Sequence, residues 1–304
     1  MADKPSRALV LYGDGLARFV DPSNSHIHSL ASVASCGFLS LPHAPPETEN
    51  ERVVREFAHL LDASEAYKLA SGLKAKAGEN EISTLAERFM GLKAALVTDS
   101  SALTSFGKLI GLDVLRLCEL CQKSDTVPSD ATASELLRLL GFEGGKCLDV
   151  SLYDSVFVHI GVDEHKGVRN IDSLVGSIIR MAQPGSEIVS RLHLSLVLSY
   201  GSVTDKDVSV FPVKTPQEEG INPAFAGLVP RQSYTMRGEK TRDDVRDYCP
   251  MLVAQWQHAV TRKDLVDTLS FEALQKLCGN LVIPADRFIH EVAFKLWKAP
   301  KYGA

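Results

Sequence analysis

The stretch Arg7-Ala-Leu-Val-Leu-Tyr-Gly-Asp-Gly-Leu-Ala-Arg18 constrains this chain more than any other. Ala8 to Tyr12 is an unbroken apolar run. Without polar alternation, such a run suits a strand covered on both faces, as in a parallel sheet. It breaks at Gly13-Asp14-Gly15, where glycines permit a sharp turn and a close backbone approach. One carboxylate, Asp14, is left at the carboxyl end of the first strand, the edge where ligands collect in open α/β sheets. The plainer alternative is a tight turn in which Asp14 caps a helix.

The same pattern recurs downstream. Phe38–Leu41, Leu92–Thr98, Asp154–Gly161 and Leu192–Leu198 read as strands. Between them, helical spacing predicts Ser29–Ser35 (stopped by Cys36-Gly37), Glu51–Leu61, a helix around Ile82–Phe89, Ser101–Leu109, Ala131–Leu140 and Val168–Met181. In Glu51–Leu61 the apolar face is Val53, Val54, Phe57, Leu60 and Leu61. Asp113–Gln122 reads as a short strand and helix. This alternation implies right-handed βαβ units: an α/β fold with a mostly parallel sheet and helices on both faces. Residues 205–240, rich in Pro and Gly, read as an irregular segment, and residues 241–304 as a helical C-terminal part containing Thr241–Thr261, Asp264–Leu277 and Ile283–Trp297. No repeat or linker divides residues 1–304, so one domain is expected.

At 304 residues with 45% apolar content the chain can bury a sizeable core. A net charge of −5 and the lack of a long basic run argue against nucleic acid or an anionic membrane as partner. The N-terminal residues lack the apolar stretch of a signal peptide, and no run approaches the roughly 20 residues that span a bilayer. A cytoplasmic protein is therefore expected. The six cysteines are scattered. Cys118 and Cys121, the one close pair, lie in a helical pattern without a second pair or His cluster, and read as core-facing thiols.

Asp163 and His165 follow the strand ending at Gly161, the same topological position as Asp14. His26, His28 and His43 fall in polar segments that could fold back toward that edge; loop histidines of this kind more often lie at the surface. Asp163 equally suits a helix cap and His159 a core position within its strand.

The order of these pieces resembles the cofactor-independent phosphoglycerate mutases, especially their shorter archaeal-type branch, within the alkaline phosphatase superfamily. Leu9 to Ala17 looks like that family's opening strand and Asp-Gly metal turn. Ser25–Ala31 with Ser35-Cys-Gly37 looks like its following helix and turn. Phe157–Gly167 resembles its Asp…Gly-His metal motif. His193–Tyr200 and Gly227-Leu-Val-Pro230 resemble the strand before its Asp-His pair and its later Val-Pro segment. The resemblance implies an alkaline-phosphatase-like α/β fold with two divalent cations, Mn or Mg, held by Asp and His, and a Ser or Thr nucleophile between them. On this chain the metal ligands would be Asp14, Asp163 and His165, and the nucleophile Thr48, between Glu47 and Glu49.

The departures from the family pattern are specific. His165 lies two residues after Asp163, where the family spaces the pair by four. Ser199-Tyr200 stand where it has an Asp-His pair, Ala224 and Phe225 where it has a His, and Arg18 where it has the second acid of the opening turn. An arginine beside Asp14 would neutralise it and occupy a cation's place. The leading expectation is a catalytically degenerate relative with no cofactor, serving as a binding or scaffold module for a protein partner or a small phosphorylated ligand. The alternative is a metal-dependent phosphomonoesterase or phosphomutase acting on a small phosphorylated metabolite. No dinucleotide fingerprint, P-loop or Gly-x-Ser-x-Gly elbow is present.

Overall fold

The apolar run at the start of the chain forms strand β1 (Arg7–Gly13), with all seven residues buried. The structure, a computed structural model, describes residues 5–42, 46–72, 82–120, 130–161, 164–201, 236–237, 240–241, 250–277 and 282–300. After β1 come α1 (Ser25–Val33), β2 (Ser35–Ser40), α2 (Glu49–Leu60), α3 (Ser64–Ala70), α4 (Leu85–Arg88), β3 (Ala94–Val97), α5 (Ser101–Leu109), β4 (Asp113–Leu115) and α6 (Leu117–Leu120). Then follow α7 (Asp130–Leu139), the hairpin β5 (Phe142–Glu143) and β6 (Lys146–Cys147), β7 (Ser155–Ile160), α8 (Glu164–Met181), α9 (Glu187–Arg191) and β8 (Leu192–Leu198). The described C-terminal part holds β9 (Met236–Arg237), β10 (Lys240–Thr241), β11 (Pro250–Trp256), α10 (Phe271–Leu277), β12 (Val282–Pro284) and α11 (Phe288–Lys295).

Eight strands form one sheet in the order β12-β2-β11-β8-β1-β7-β3-β4. Every pairing is parallel except those of β11, which runs antiparallel to both β2 and β8. Because side chains alternate along a strand, β1 feeds two cores. Leu9 and Leu11 join the layer that includes Ile27, Leu136, Ile171 and Phe271, while Val10 and Tyr12 join the layer that includes Phe57, Phe106 and Phe288. Burial on both faces explains why the central strands carry continuous apolar runs. The end of β1 is crowded: a Cβ added at Gly13 would lie 2.6 Å from Leu198 Cδ2 and 2.7 Å from Ile171 Cδ1. Gly15 then takes φ 68°, the left-handed turn that glycine adopts most cheaply.

Four local expectations need correction. The terminal helix does not begin at Ile283, a residue of β12, but runs from Phe288 to Lys295. Cys36 and Gly37 do not stop a helix; they lie inside β2, because the preceding helix starts earlier, at Ser25, and ends at Val33. Trp256 does not sit on a helix: Pro250–Trp256 is a strand wedged between β2 and β8, and short apolar runs such as Met251–Ala254 carry too little periodicity to separate the two states. Cys118 is exposed rather than core-facing; Cys121 lies outside the described residues. Residues 205–235 of the expected irregular segment also lie outside them. Among the described residues, no helix is long and apolar enough to cross a membrane.

One buried polar group carries a pH signature. His193 in β8 is fully buried, with Nε2 3.1 Å from Ser195 Oγ. Burial pushes its imidazole down from 6.5 to about 3. Below 6.5 the unfolded chain binds a proton that the folded chain refuses, so stability falls as pH drops across that window, by at most about 1.4 kcal/mol per pH unit. Urea unfolding of the wild type should therefore show stability declining from pH 6.5 toward 4, and His193→Gln should decline markedly less. Equal slopes would contradict the assignment.

Candidate functional site

Four neighbouring strands bring polar groups to the carboxyl edge of the sheet. β1 runs into Asp14, β8 into Ser199 and β3 into Thr98, while β7 contributes His159 one residue before its end. Backbone bonds fix the strand ends: Asp14 N donates to Ile160 O at 3.0 Å, and Ser199 N donates to Gly13 O at 3.0 Å. Asp14 thus stands where the first-strand turn predicts it, and it is 2% exposed.

The cation on Asp14 is an arginine, though not the one expected. Arg18 turns to the carbonyl of Tyr200, with Nε and Nη2 at 2.9 and 2.5 Å. Arg52, from the first turn of α2, places Nη2 2.7 Å from Asp14 Oδ1. The same nitrogen lies 2.5 Å from Glu49 Oε1, Nε lies 3.1 Å from Glu49 Oε2, and Nη1 lies 2.9 Å from Glu56 Oε2. The side chains of Arg52, Asp14 and Glu56 are 4%, 3% and 4% exposed, whereas Glu49 reaches in from the surface at 54%. Tyr12 completes the cluster, its hydroxyl donating to Glu56 Oε2 at 2.8 Å.

These charges set one another. Burial alone would push the Asp14 carboxyl up, but the nearby His159 ring and the Arg52 guanidinium outweigh it and hold Asp14 below its ordinary range. Burial likewise opposes the charge on Arg52, yet the bonds to Glu49 and the fields of Glu56 and Asp14 raise it. Burial raises the Glu56 carboxyl, and Arg52 pulls it part of the way back. Burial also raises the Tyr12 phenol, which therefore keeps its proton and acts as the donor.

Helix α2 delivers Arg52 for a local reason. Thr48 caps it in a reciprocal box: the Thr48 hydroxyl accepts from Glu51 N, and the Glu51 carboxylate accepts from Thr48 N. Arg55 clamps Glu47 through Nε and Nη2, between 2.9 and 3.0 Å. Arg52 and Glu56 are thereby turned inward beside Val53 and Phe57. The expected nucleophile is thus a cap: Thr48 is exposed and its hydroxyl also donates to Glu51 Oε2 at 2.8 Å.

The other candidates divide. Asp163 and His43 lie outside the described residues, and for His165 the structure describes the backbone alone, in the first turn of α8. His28 is occupied by backbone groups, with Nε2 2.9 Å from Asp21 O and Nδ1 accepting from Leu269 N at 3.2 Å. The His26 ring packs on Gly176, where an added Cβ would come within 2.6 Å. The histidine that does reach Asp14 is His159. Its Nδ1 is 2.9 Å from Thr98 Oγ1, and its Nε2 is 3.9 Å from Asp14 Oδ2, beyond hydrogen-bond reach. That Nε2 is buried and finds no hydrogen-bond partner among the described residues. Ser199 Oγ accepts from Gly15 N at 2.9 Å and donates weakly to Asp14 Oδ1 at 3.4 Å.

A resident divalent cation does not fit this arrangement. The space between the carboxylates holds a guanidinium, and among the described residues no group of three or more His, Cys, Asp or Glu is disposed to hold a metal. Arg52 itself carried a weak sequence signal: Arg52 and Glu56 are opposite charges one turn apart, flanking the apolar stripe of their helix.

No family model and no curated protein matches this sequence. Solved structures do match. The PH0037 protein from Pyrococcus horikoshii superposes with a TM-score of 0.56 at 12% identity, over 99% of this chain and 99% of that one. The lipoteichoic acid synthase LtaP from Listeria monocytogenes superposes with a TM-score of 0.54 at 11% identity, over 99% of this chain and 74% of that one. The cofactor-independent phosphoglycerate mutase from Thermoplasma acidophilum gives a looser TM-score of 0.49 at 10% identity, over 96% and 99%. At such identities the likeness establishes the shared fold, a mostly parallel sheet flanked by helices, and nothing finer.

Two stability measurements test the site. Arg52→Met leaves buried carboxylates without their cation and should cost about 3–5 kcal/mol in urea unfolding. Adding Asp14→Asn and Glu56→Gln to that variant should recover most of the loss. A cost below about 1 kcal/mol, the range of exposed ion pairs, would contradict the buried network. Thr48→Ala should cost about 1 kcal/mol, as loss of a helix cap does; no measurable loss would contradict the capping role.

Proposed function

We propose that this chain is a binding or scaffold module built on an alkaline-phosphatase-like fold, without metal-dependent phosphotransfer. The observation that carries the proposal is Arg52, seated among Asp14, Glu49 and Glu56 at the carboxyl edge of the sheet. Metal-assisted phosphoryl transfer uses a cation as a Lewis acid that polarises the phosphoryl oxygens and activates the nucleophile. A guanidinium has no vacant coordination position; Nε and Nη2 of Arg52 donate to Glu49 and Asp14, and Nη1 lies 2.9 Å from Glu56 Oε2 as an ion pair without hydrogen-bond geometry. The nucleophile expected from the sequence is engaged too, since Thr48 is tied into its cap. The partner class we propose is another protein or a small phosphorylated ligand. A phosphoryl group would find little welcome at the Arg52 seat itself, where three carboxylates face one guanidinium.

The second reading is a metal-dependent phosphomonoesterase or phosphomutase. The unpartnered Nε2 of His159 beside Asp14 favours it. The two readings separate in one experiment. Purified protein is dialysed after exposure to Mn or Mg, its metal content is measured, and a panel of phosphomonoesters is assayed with each metal. The expected outcome is metal far below one ion per chain and no turnover above buffer. Stoichiometric metal together with turnover that Asp14→Asn abolishes would overturn the proposal in favour of the second reading.

A further inference from the structure

The amino edge of the sheet, opposite Asp14, carries a groove of its own. Helix α8 leaves the carboxyl end of β7 and ends at Met181, and the chain re-enters the sheet at Leu192. There α7, the β5–β6 hairpin, Met181 and Ile188 of α9 line a cavity of about 530 Å³. That volume falls within the roughly 300–1,000 Å³ of small-molecule sites. The floor is apolar: Leu137, Phe142 and Ile188 are buried core residues. The Met181 thioether adds a wall that adapts to shape. The hairpin tip leaves the mouth open, since a Cβ added at Gly144 or Gly145 would meet nothing within 4 Å.

The rim selects a charge. Arg138 is committed to Glu135, with Nε 2.9 Å from Oε2 and Nη2 2.5 Å from Oε1. The Glu143 side chain also lines the groove and forms no hydrogen bond or ion pair among the described residues. Lys146, opposite Glu143 in the hairpin, does not line the groove. The Ser134 hydroxyl has only a weak sulfur acceptor, Met181 Sδ at 3.7 Å. Arg7 lies 5.3 Å from the centre of the Phe142 ring, bound to the carbonyls of Leu140, Gly141 and Leu148. A ligand cation is therefore directed to the rim and not to that ring. We infer that this groove binds a small organic cation with an apolar body, its aryl or alkyl group on the floor and its ammonium at Glu143 beside Ser134. Burial of apolar surface supplies the affinity. Charge supplies the selection: an anionic ligand would meet Glu143, and could reach Arg138 only by displacing Glu135.

The test titrates the full chain with naphthylethylammonium, with the neutral alcohol of the same shape and with the matching carboxylate. Binding is followed by calorimetry and by amide chemical shifts. The ammonium should saturate at one per chain, with a dissociation constant on the order of 1 mM or below. The alcohol should bind about threefold more weakly and the carboxylate more weakly still, a spread the size of an exposed ion pair. High salt should bring the ammonium down to the affinity of the alcohol. Glu143→Gln should do the same at low salt. Ser134→Trp, an enlargement at an exposed helix position that fills the groove, should abolish binding of both. Shift changes in the wild type should centre on Ser134, Glu143, Met181 and Ile188, which locates the site without relying on any variant to fold. An ammonium that does not saturate, an alcohol or carboxylate that binds as tightly, a preference that survives Glu143→Gln, binding unchanged by Ser134→Trp, or shifts centred elsewhere would each overturn the inference. The groove lies at the opposite edge of the sheet from Arg52, so these outcomes leave the function proposed above to its own test.

Discussion

The ion-pair cluster of Arg52 with Asp14, Glu49 and Glu56 ties helix α2 to the end of β1, and the character of the site depends on it. Charges buried to this extent are expensive unless each finds a counter-charge and hydrogen bonds. Arginine suits the task because its planar fork presents several donors to several oxygens at once and stays charged under burial. Lysine, a single ammonium on a flexible stem, could not address three carboxylates on different elements in the same way. The cluster therefore specifies where α2 docks and, through that, what occupies the carboxyl edge of the sheet.

The sheet supplies the rest of the geometry. β8, β1, β7 and β3 are adjacent and parallel, so their carboxyl ends lie side by side and bring Ser199, Asp14, His159 and Thr98 together although they are far apart in sequence. Close packing at Gly13 against Leu198 and Ile171 fixes the point at which β1 turns. A fold of this type offers the same edge whatever chemistry it hosts, so the side chains at that edge, not the fold, must decide function.

What the sequence disclosed follows physical rules. The central strands were legible because burial on both faces requires continuous apolar runs: Ala8–Tyr12, the run before Gly161 and Leu192–Leu198 all became strands. Asp14 was legible because its position follows from the strand and its glycines. Arg52 was not. The string Glu49-Asn-Glu-Arg-Val-Val-Arg-Glu-Phe57 has charges at the spacing of ordinary solvent-facing helix pairs, and only docking on β1 buries Arg52 and Glu56. Arg18, nearer to Asp14 in sequence, was the natural candidate, but its guanidinium meets the Tyr200 carbonyl. Thr48 stood for the nucleophile only through the family resemblance, and its neighbours Glu49 and Glu51 belong to the first turn of a capped helix. β11 was misread because its apolar run is too short to show a period.

The most direct measurement is a high-resolution crystal structure grown in excess Mn²⁺, with anomalous scattering recorded at the manganese edge. The expected result is guanidinium density within hydrogen-bond distance of Asp14 Oδ1 and no anomalous peak among Asp14, Glu49 and Glu56. A manganese peak bonded to Asp14, with Arg52 swung away from it, would contradict the view that this fold carries its cation on its own chain.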